Sequence, residues 1–183
     1  MMHTIFNIPL EGEIPENAER VLFGMGCFWG VERLFWQLEG VYRTTVGYAG
    51  GHVDAPDYKS VCNGTTGHSE VVEVVYFPEQ ISFEQLMVKF WENHDPTQGN
   101  RQGNDIGSQY RSLIGAYTEQ QMPIVDKTLT EYQTKLTQDG YGEISTELCY
   151  DLKYWLAEEY HQQYLDKNPA GYCGLAGTGT CFI

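Results

Sequence analysis

The nine residues "SEVVEVVYF" (69–77) place four valines and two aromatics in a run that Pro78 stops at once. Such β-branched and aromatic density reads as a strand, and the segments around it complete a pattern. Upstream, "AERVLFGMG" (18–26) reads as a short buried strand ending in glycines, and "VYRTTVGYAG" (41–50) as another strand. Between them Val31, Leu34, Phe35 and Leu38 recur at helical spacing, an amphipathic stripe that Gly40 ends. Downstream, Ser82 and Gln85 make a capping box ahead of a helix with the stripe Phe83, Leu86, Met87, Phe90 and Trp91. "QYRSLIGAY" then reads as a strand, "EQQMPIVDKTLTEYQTKLTQ" as a helix, "EISTELCY" as a strand and "KYWLAEEYHQQYLDK" as a last helix. Over 21–117 the order is β-α-β-β-α-β, that of a ferredoxin-like split βαβ unit. The expected fold class is α+β: a two-layer sandwich with extra helices and a long glycine-rich C-terminal coil.

The 183 residues fit a single catalytic domain with its own core. We divide it into an α+β core over 18–167 and a flexible tail over 168–183. A net charge of −14 argues against nucleic acid as a partner, because phosphates would be repelled; its plain reading is a solvated surface. No apolar run has the length to cross a bilayer, and "MMHTIFNIPLEGEIPENAER" lacks the basic start and apolar stretch of a signal peptide. A cytoplasmic monomer is therefore expected. Five cysteines without any CxxC suit neither a secreted disulfide framework nor a zinc site. In a reducing compartment they are buried thiols or redox workers, and no metal or cofactor is called for.

"FGMGCFWGVERLF" (23–35) sets Cys27 between glycines and follows it with Phe28 and Trp29. One reading makes all three core residues at a helix start, since cysteine and aromatics are both commonly buried. The other makes Cys27 a nucleophile with an apolar pocket beside it. Helix N–H groups aimed at the sulfur would lower its pKa from ~8.5, where only about 3% is thiolate at pH 7. Two further segments look functional. The polar, glycine-rich "DPTQGNRQGNDIGS" is long for a loop in a compact domain. The tail "NPAGYCGLAGTGTCFI" has too many glycines for regular structure and carries Cys173 and Cys181. Ten extended residues span roughly 35 Å, against a gyration radius of about 16 Å for a domain of this size, so the tail can cross a face of the protein.

The motifs "GCFWG", "GYAGG", "HSEVVEVVYFP", "HDPTQGNRQGNDIGSQYRS", "EEYHQQYL" and "GYCGLAGTGTC", in this order, resemble the class A peptide methionine sulfoxide reductases over nearly the whole chain. The resemblance implies reduction of the S epimer of methionine sulfoxide, in proteins or free, without metal. It implies Cys27 as nucleophile, Phe28 and Trp29 around the substrate methyl group, and Glu70 as the acid. Tyr58 and Tyr110 would share the oxygen site and Asp105 would help position the substrate. Cys173 would resolve the oxidised nucleophile, and Cys181 would pass reducing equivalents to thioredoxin.

The residue chemistry suits these roles. A sulfoxide oxygen leaves only when protonated, so the site needs an acid still protonated at neutral pH, and a carboxyl in apolar surroundings has a raised pKa. Two tyrosine hydroxyls can donate hydrogen bonds to the same oxygen. Attack would leave Cys27 as a sulfenic acid, which condenses with a nearby thiol. Cys62 and Cys149 read as small buried thiols. His161 and Tyr164 would share one side of the last helix by their spacing, as packing or a hydrogen bond behind the site. The rival readings are another cysteine-based peroxide reductase, or a thiol redox sensor.

Overall fold

The computed structural model describes residues 1–182. Its order begins β1 (Glu19–Gly24), α1 (Phe28–Trp36), β2 (Val41–Ala49), α2 (Tyr58–Cys62), β3 (Ser69–Tyr76) and α3 (Phe83–Glu92). It continues with β4 (Arg101–Gln102), β5 (Asp105–Ile106), a 3-10 turn at Ser108–Tyr110, β6 (Leu113–Ala116) and α4 (Gln121–Gln138). β7 (Glu147–Tyr150), β8 (Tyr154–Leu156) and α5 (Tyr164–Lys167) complete it. Six strands form one sheet in the order β7-β6-β1-β3-β2-β8. All its pairs are antiparallel except β6 with β7. The fold is mixed α and β, with β3 at the middle of the sheet.

Alternation along the central strands decides what each face does. Phe23, Val46, Val72 and Val74 join the main core with Phe35 of α1 and Phe90 of α3. Phe23 stacks on Phe35 at 4.9 Å and on Phe90 at 5.2 Å between ring centroids. Burying such a ring is worth about 1.5–3 kcal/mol. Leu22, Ala49, Val71 and Leu113 point the other way, under Tyr117, Cys149, Leu152 and Tyr154. The capping box at α3 forms as expected: Ser82 Oγ accepts from Gln85 N–H at 3.2 Å, and Gln85 Oε1 from Ser82 N–H at 2.8 Å.

The C-terminal third corrects the helix expected over 153–167. Its first residues form β8, an added edge strand whose Tyr154 to Leu156 pair with Ala49 to Gly47 of β2. Past it, the Gln162 side chain extends the same edge: Oε1 accepts Val46 N–H at 2.9 Å, and Nε2 donates to the Val46 carbonyl at 2.7 Å. Gln163 then turns left-handed at φ +47, which no helix continues through. Backbone groups that a helix would pair internally are committed to β2 instead. His161 and Tyr164 therefore share no helix; they flank a sharp turn. The loop over 51–67 also holds a short helix, α2, whose Asp57 cap accepts from Ser60 N–H at 2.7 Å. The loop over 95–108 closes into the β4–β5 hairpin.

Gly47 shows how tightly β8 is docked. A Cβ there would collide with the Trp155 carbonyl oxygen and the Tyr154 ring. We expect Gly47→Ala to push β8 off the sheet edge and to lower the unfolding free energy by about 1–3 kcal/mol in denaturant titrations, the usual cost of overpacking. Unchanged stability would show that the edge accommodates the methyl.

Candidate active site

The chain leaves β1 at Gly24 and turns through Gly26 at φ +94, a conformation that favours glycine. Cys27 follows as the N-cap of α1, with a side chain that makes no cap hydrogen bond. The first N–H groups of α1 have no partner within the helix. Phe28 N–H donates to Glu70 Oε2 at 3.0 Å, and Trp29 N–H is directed at the Cys27 sulfur. Glu70 gets there by strand alternation, since it shares the helix-bearing face of β3 with Val72 and Val74. Only 2% of it is exposed.

The electrostatics overturn the lowered thiol pKa expected for Cys27. Burial pushes it well above the usual cysteine range, and the neighbouring Glu70 adds to the rise. The Trp29 N–H opposes this and loses. Desolvation of a partly enclosed sulfur outweighs one backbone dipole. Burial also pushes Glu70 up to about 8, with the Phe28 N–H opposing and Asp105 adding to the rise. At neutral pH the site therefore holds a thiol and a protonated carboxyl side by side.

Beside them stands an aromatic wall. Phe28 is fully buried, and Trp29 stacks on Tyr164 with centroids 3.9 Å apart and planes within 14°. Trp29 Nε1–H donates to His161 Nδ1 at 3.1 Å, so the imidazole proton sits on Nε2. Burial holds His161 down at about 4, keeping it neutral. Its ring also approaches Phe28 at 5.2 Å and Tyr58 at 4.4 Å. The turn that delivers His161 and Tyr164 is tied to α1 by buried Glu32, which accepts from Gln163 N–H at 2.8 Å and Gln163 Nε2 at 2.7 Å.

Tyr58 opens α2 and Tyr110 ends the 3-10 turn. Burial raises both phenols, and Glu70, Cys62, Cys27 and Asp105 are the titratable groups around Tyr110. Asp105 lies in the β4–β5 hairpin and accepts from Tyr172 Oη–H at 3.1 Å. Cys173, next in the chain, is exposed and is among the groups acting on the Cys27 thiol. Cys27, Phe28, Trp29, Tyr58, Glu70, Asp105, Tyr110 and Cys173 thus gather in one place. Cys181 is seated elsewhere, against α3 and α4. Its neighbour Phe182 stacks on Tyr132 and donates its N–H to Glu92 Oε1 at 2.6 Å. Cys62 is half-buried beside the Tyr58 hydroxyl, nearer the site than its loop position suggested, and Cys149 is half-buried on β7. Two groups were not singled out from sequence. Glu158 accepts from Tyr58 N–H and Tyr48 Oη–H, both at 2.8 Å, and Tyr172 holds Asp105. Only the motif "EEYHQQYL" pointed at the first. Among the described residues, no three His, Cys, Asp or Glu side chains converge so as to hold a metal ion.

Residues 19–179 match the family model described as peptide methionine sulfoxide reductase. The chain belongs to that family. A curated relative, peptide methionine sulfoxide reductase MsrA of Saccharophagus degradans, is 53% identical over 177 residues, covering 97% of this chain and 82% of that one. The solved methionine sulfoxide reductase A of Corynebacterium diphtheriae superposes with a TM-score of 0.87 at 45% identity, covering 93% of this chain and 83% of its own. Mxr1 from Saccharomyces cerevisiae in reduced form gives 0.80 at 37%, covering 88% and 92%; Mxr1 has also been solved in complex with Trx2. Like the family it belongs to, the protein reduces methionine sulfoxide.

The buried carboxyls leave a signature in stability. Native Glu70 keeps a proton that the unfolded chain releases, so the stability it confers is present below its ordinary value of 4.5 and is lost as pH rises through about 8. Glu32, raised by burial to about 7, acts in the same direction. We expect unfolding free energy to fall with pH across this window. Glu70→Gln should remove part of that slope in denaturant titrations at several pH values. A variant with the wild-type slope would show that Glu70 is already ionised in the fold.

Proposed function

We propose that the protein reduces the S epimer of methionine sulfoxide, free or within proteins, through a sulfenic acid on Cys27 and a thiol relay to thioredoxin. What carries this reading is the Glu70 carboxyl, bonded to the N–H of the residue next to the nucleophile and protonated at neutral pH. The substrate methyl group packs on Phe28 and Trp29, with the S–O oxygen toward Glu70, Tyr58 and Tyr110. Asp105 orients the substrate. The Cys27 sulfur bonds to the sulfoxide sulfur as its own proton and that of Glu70 pass to the oxygen, which leaves as water. Water then attacks the Cys27 sulfur, the S–S bond breaks to release the thioether, and a proton returns to Glu70. The sum balances: thiol plus sulfoxide gives sulfenic acid plus thioether. The thiol ionises as it attacks, since the thiolate is the nucleophile, and its proton leaves in the water.

Cys173 then condenses with the sulfenic acid, releasing water and leaving a Cys27–Cys173 disulfide. Cys181 attacks Cys173 in turn, freeing Cys27, and the new disulfide is reduced by thioredoxin. The exposure of Cys173 and Cys181 and the solved complex of Mxr1 with Trx2 are in line with a docked partner. We read β6-β1-β3-β2, antiparallel throughout with α1 and α3 as crossovers, as a ferredoxin-like unit. It belongs to a single catalytic domain, core over 18–167 and redox tail over 168–183. A cytoplasmic monomer fits five free thiols. No helix of the described residues is long and apolar enough to cross a membrane.

A dabsylated methionine sulfoxide peptide with dithiothreitol tests the chemistry. One epimer should be consumed, and Cys27→Ser should abolish turnover, whereas consumption of peroxide alone would mark a peroxide reductase. Glu70→Gln should slow the first step by about 10²-fold or more, the usual range for a general acid. Cys181→Ser should keep dithiothreitol-driven activity and lose most of the thioredoxin-driven rate. Unchanged rates with thioredoxin would remove Cys181 from the relay.

A further inference from the structure

We propose that Gly30 is a positioning residue for the first thiol exchange: the space left by its missing side chain seats the Cys173 sulfur next to Cys27. This rests on the relay proposed above. Cys27 caps α1, and Gly30 is its third residue. N-cap and third positions lie on one side of a helix start, close enough to share a hydrogen bond in a capping box. A Cβ on Gly30 would stand 2.7 Å from Cys173 Sγ and 3.2 Å from Leu175 Cβ. The first distance is closer than two such atoms approach.

Nothing in the backbone calls for glycine here. Gly26, just ahead of Cys27, is held at positive φ, whereas Gly30 lies inside a regular helix. A glycine at such a site costs a helix about 1 kcal/mol relative to alanine. The neighbours that a side chain would displace belong to the tail. Cys173 is held on both sides, by Tyr172 on Asp105 and by Leu175 packed on the main core. With a single side-chain torsion, its sulfur can avoid a methyl at position 30 only by leaving the seat.

The step that depends on the seat joins Cys173–SH to Cys27–S–OH. A sulfur–sulfur bond forms and the sulfur–oxygen bond breaks. The hydroxyl leaves as water with the Cys173 proton, while the sulfenic sulfur is reduced and the Cys173 thiol oxidised. A disulfide needs Cβ atoms roughly 3.5–4.5 Å apart, so a displaced Cys173 forms it slowly.

Gly30→Ala, given one equivalent of substrate without reductant, should still release methionine but form the disulfide at least tenfold more slowly. During that time the sulfenic acid should be trapped by dimedone. Thioredoxin-driven turnover should fall by a similar factor, and dithiothreitol-driven turnover much less, because small thiols reach the sulfenic acid directly. Cys173→Ser, run in parallel, separates the two claims. If it still forms the disulfide-linked product at the wild-type rate, the relay reading fails. If it is blocked while Gly30→Ala matches wild type, the seat alone is wrong. A Gly30→Ala protein that releases no methionine also overturns the inference, since the substitution then disturbs more than the tail.

Discussion

The hydrogen bond from Phe28 N–H to Glu70 joins the middle strand of the sheet to the first turn of α1, and the rest of the site is arranged around it. The bond occupies one of the helix N–H groups that would otherwise stabilise an anion at that end. It leaves the sulfur one residue earlier with the Trp29 N–H alone. The same enclosure that makes the carboxyl hold its proton also raises the thiol, so the two effects cannot be tuned apart. A site built to activate a free thiolate would keep acidic groups away. Here a carboxyl raised by burial is the sulfur's neighbour, which suits the proposed reaction, whose departing group is an oxygen in need of a proton.

The aromatic wall depends on a second buried carboxyl. Glu32, one turn along α1 from Phe28, bonds the backbone and side chain of Gln163 and accepts from Thr44 Oγ1 at 3.1 Å. Thr44 in turn meets His3 Nε2 at 3.0 Å. The chain from the N-terminal arm to the left-handed turn at Gln163 is thus continuous, and that turn sets His161 and Tyr164 as the two partners of Trp29. Losing one member would leave a buried polar group unpaired, at about 1–3 kcal/mol. An indole fixed by both a hydrogen bond and a stack is held in one orientation, as the proposed packing of the substrate methyl group on it would need.

Local patterns in the sequence were sufficient for β1, β2, β3, α1, α3 and α4, because each carries its own period. They also marked Cys27 with Phe28 and Trp29, as core or as a nucleophile beside a pocket, whereas Glu70 stood out only through the family resemblance, because it meets the helix start from a strand face. The misread segment, 153–167, has helical residues by propensity, yet its backbone is claimed by the exposed edge of β2. That is a tertiary override no local window contains. The thiol's pKa was misjudged for a related reason. Helix polarity can be read from sequence, but the extent of desolvation depends on which strand residue arrives opposite. Glu158 escaped notice because its work, joining Tyr48 and Tyr58, spans 110 and 100 residues of chain.

The tail adds a constraint of its own. Phe182 is anchored by its ring on Tyr132 and by its N–H on Glu92, while Lys135 Nζ donates to its carbonyl. Thr180 Oγ1 donates to Asp139 at 2.6 Å, and Tyr141 Oη donates to the Thr178 carbonyl at 2.8 Å. Cys181 therefore sits between two anchored residues on α3 and α4, whereas Cys173 sits at the start of α1. Only 174–180 separate them, and Gly174, Gly177 and Gly179 lie within that stretch. With both ends tied, the relay proposed above would begin with exchange between Cys173 and Cys27. The second exchange then requires one anchor to give. In the relay proposed above, oxidation of Cys173 onto Cys27 would fix the near end covalently, so the far anchor, made of weak bonds, would be the one to yield.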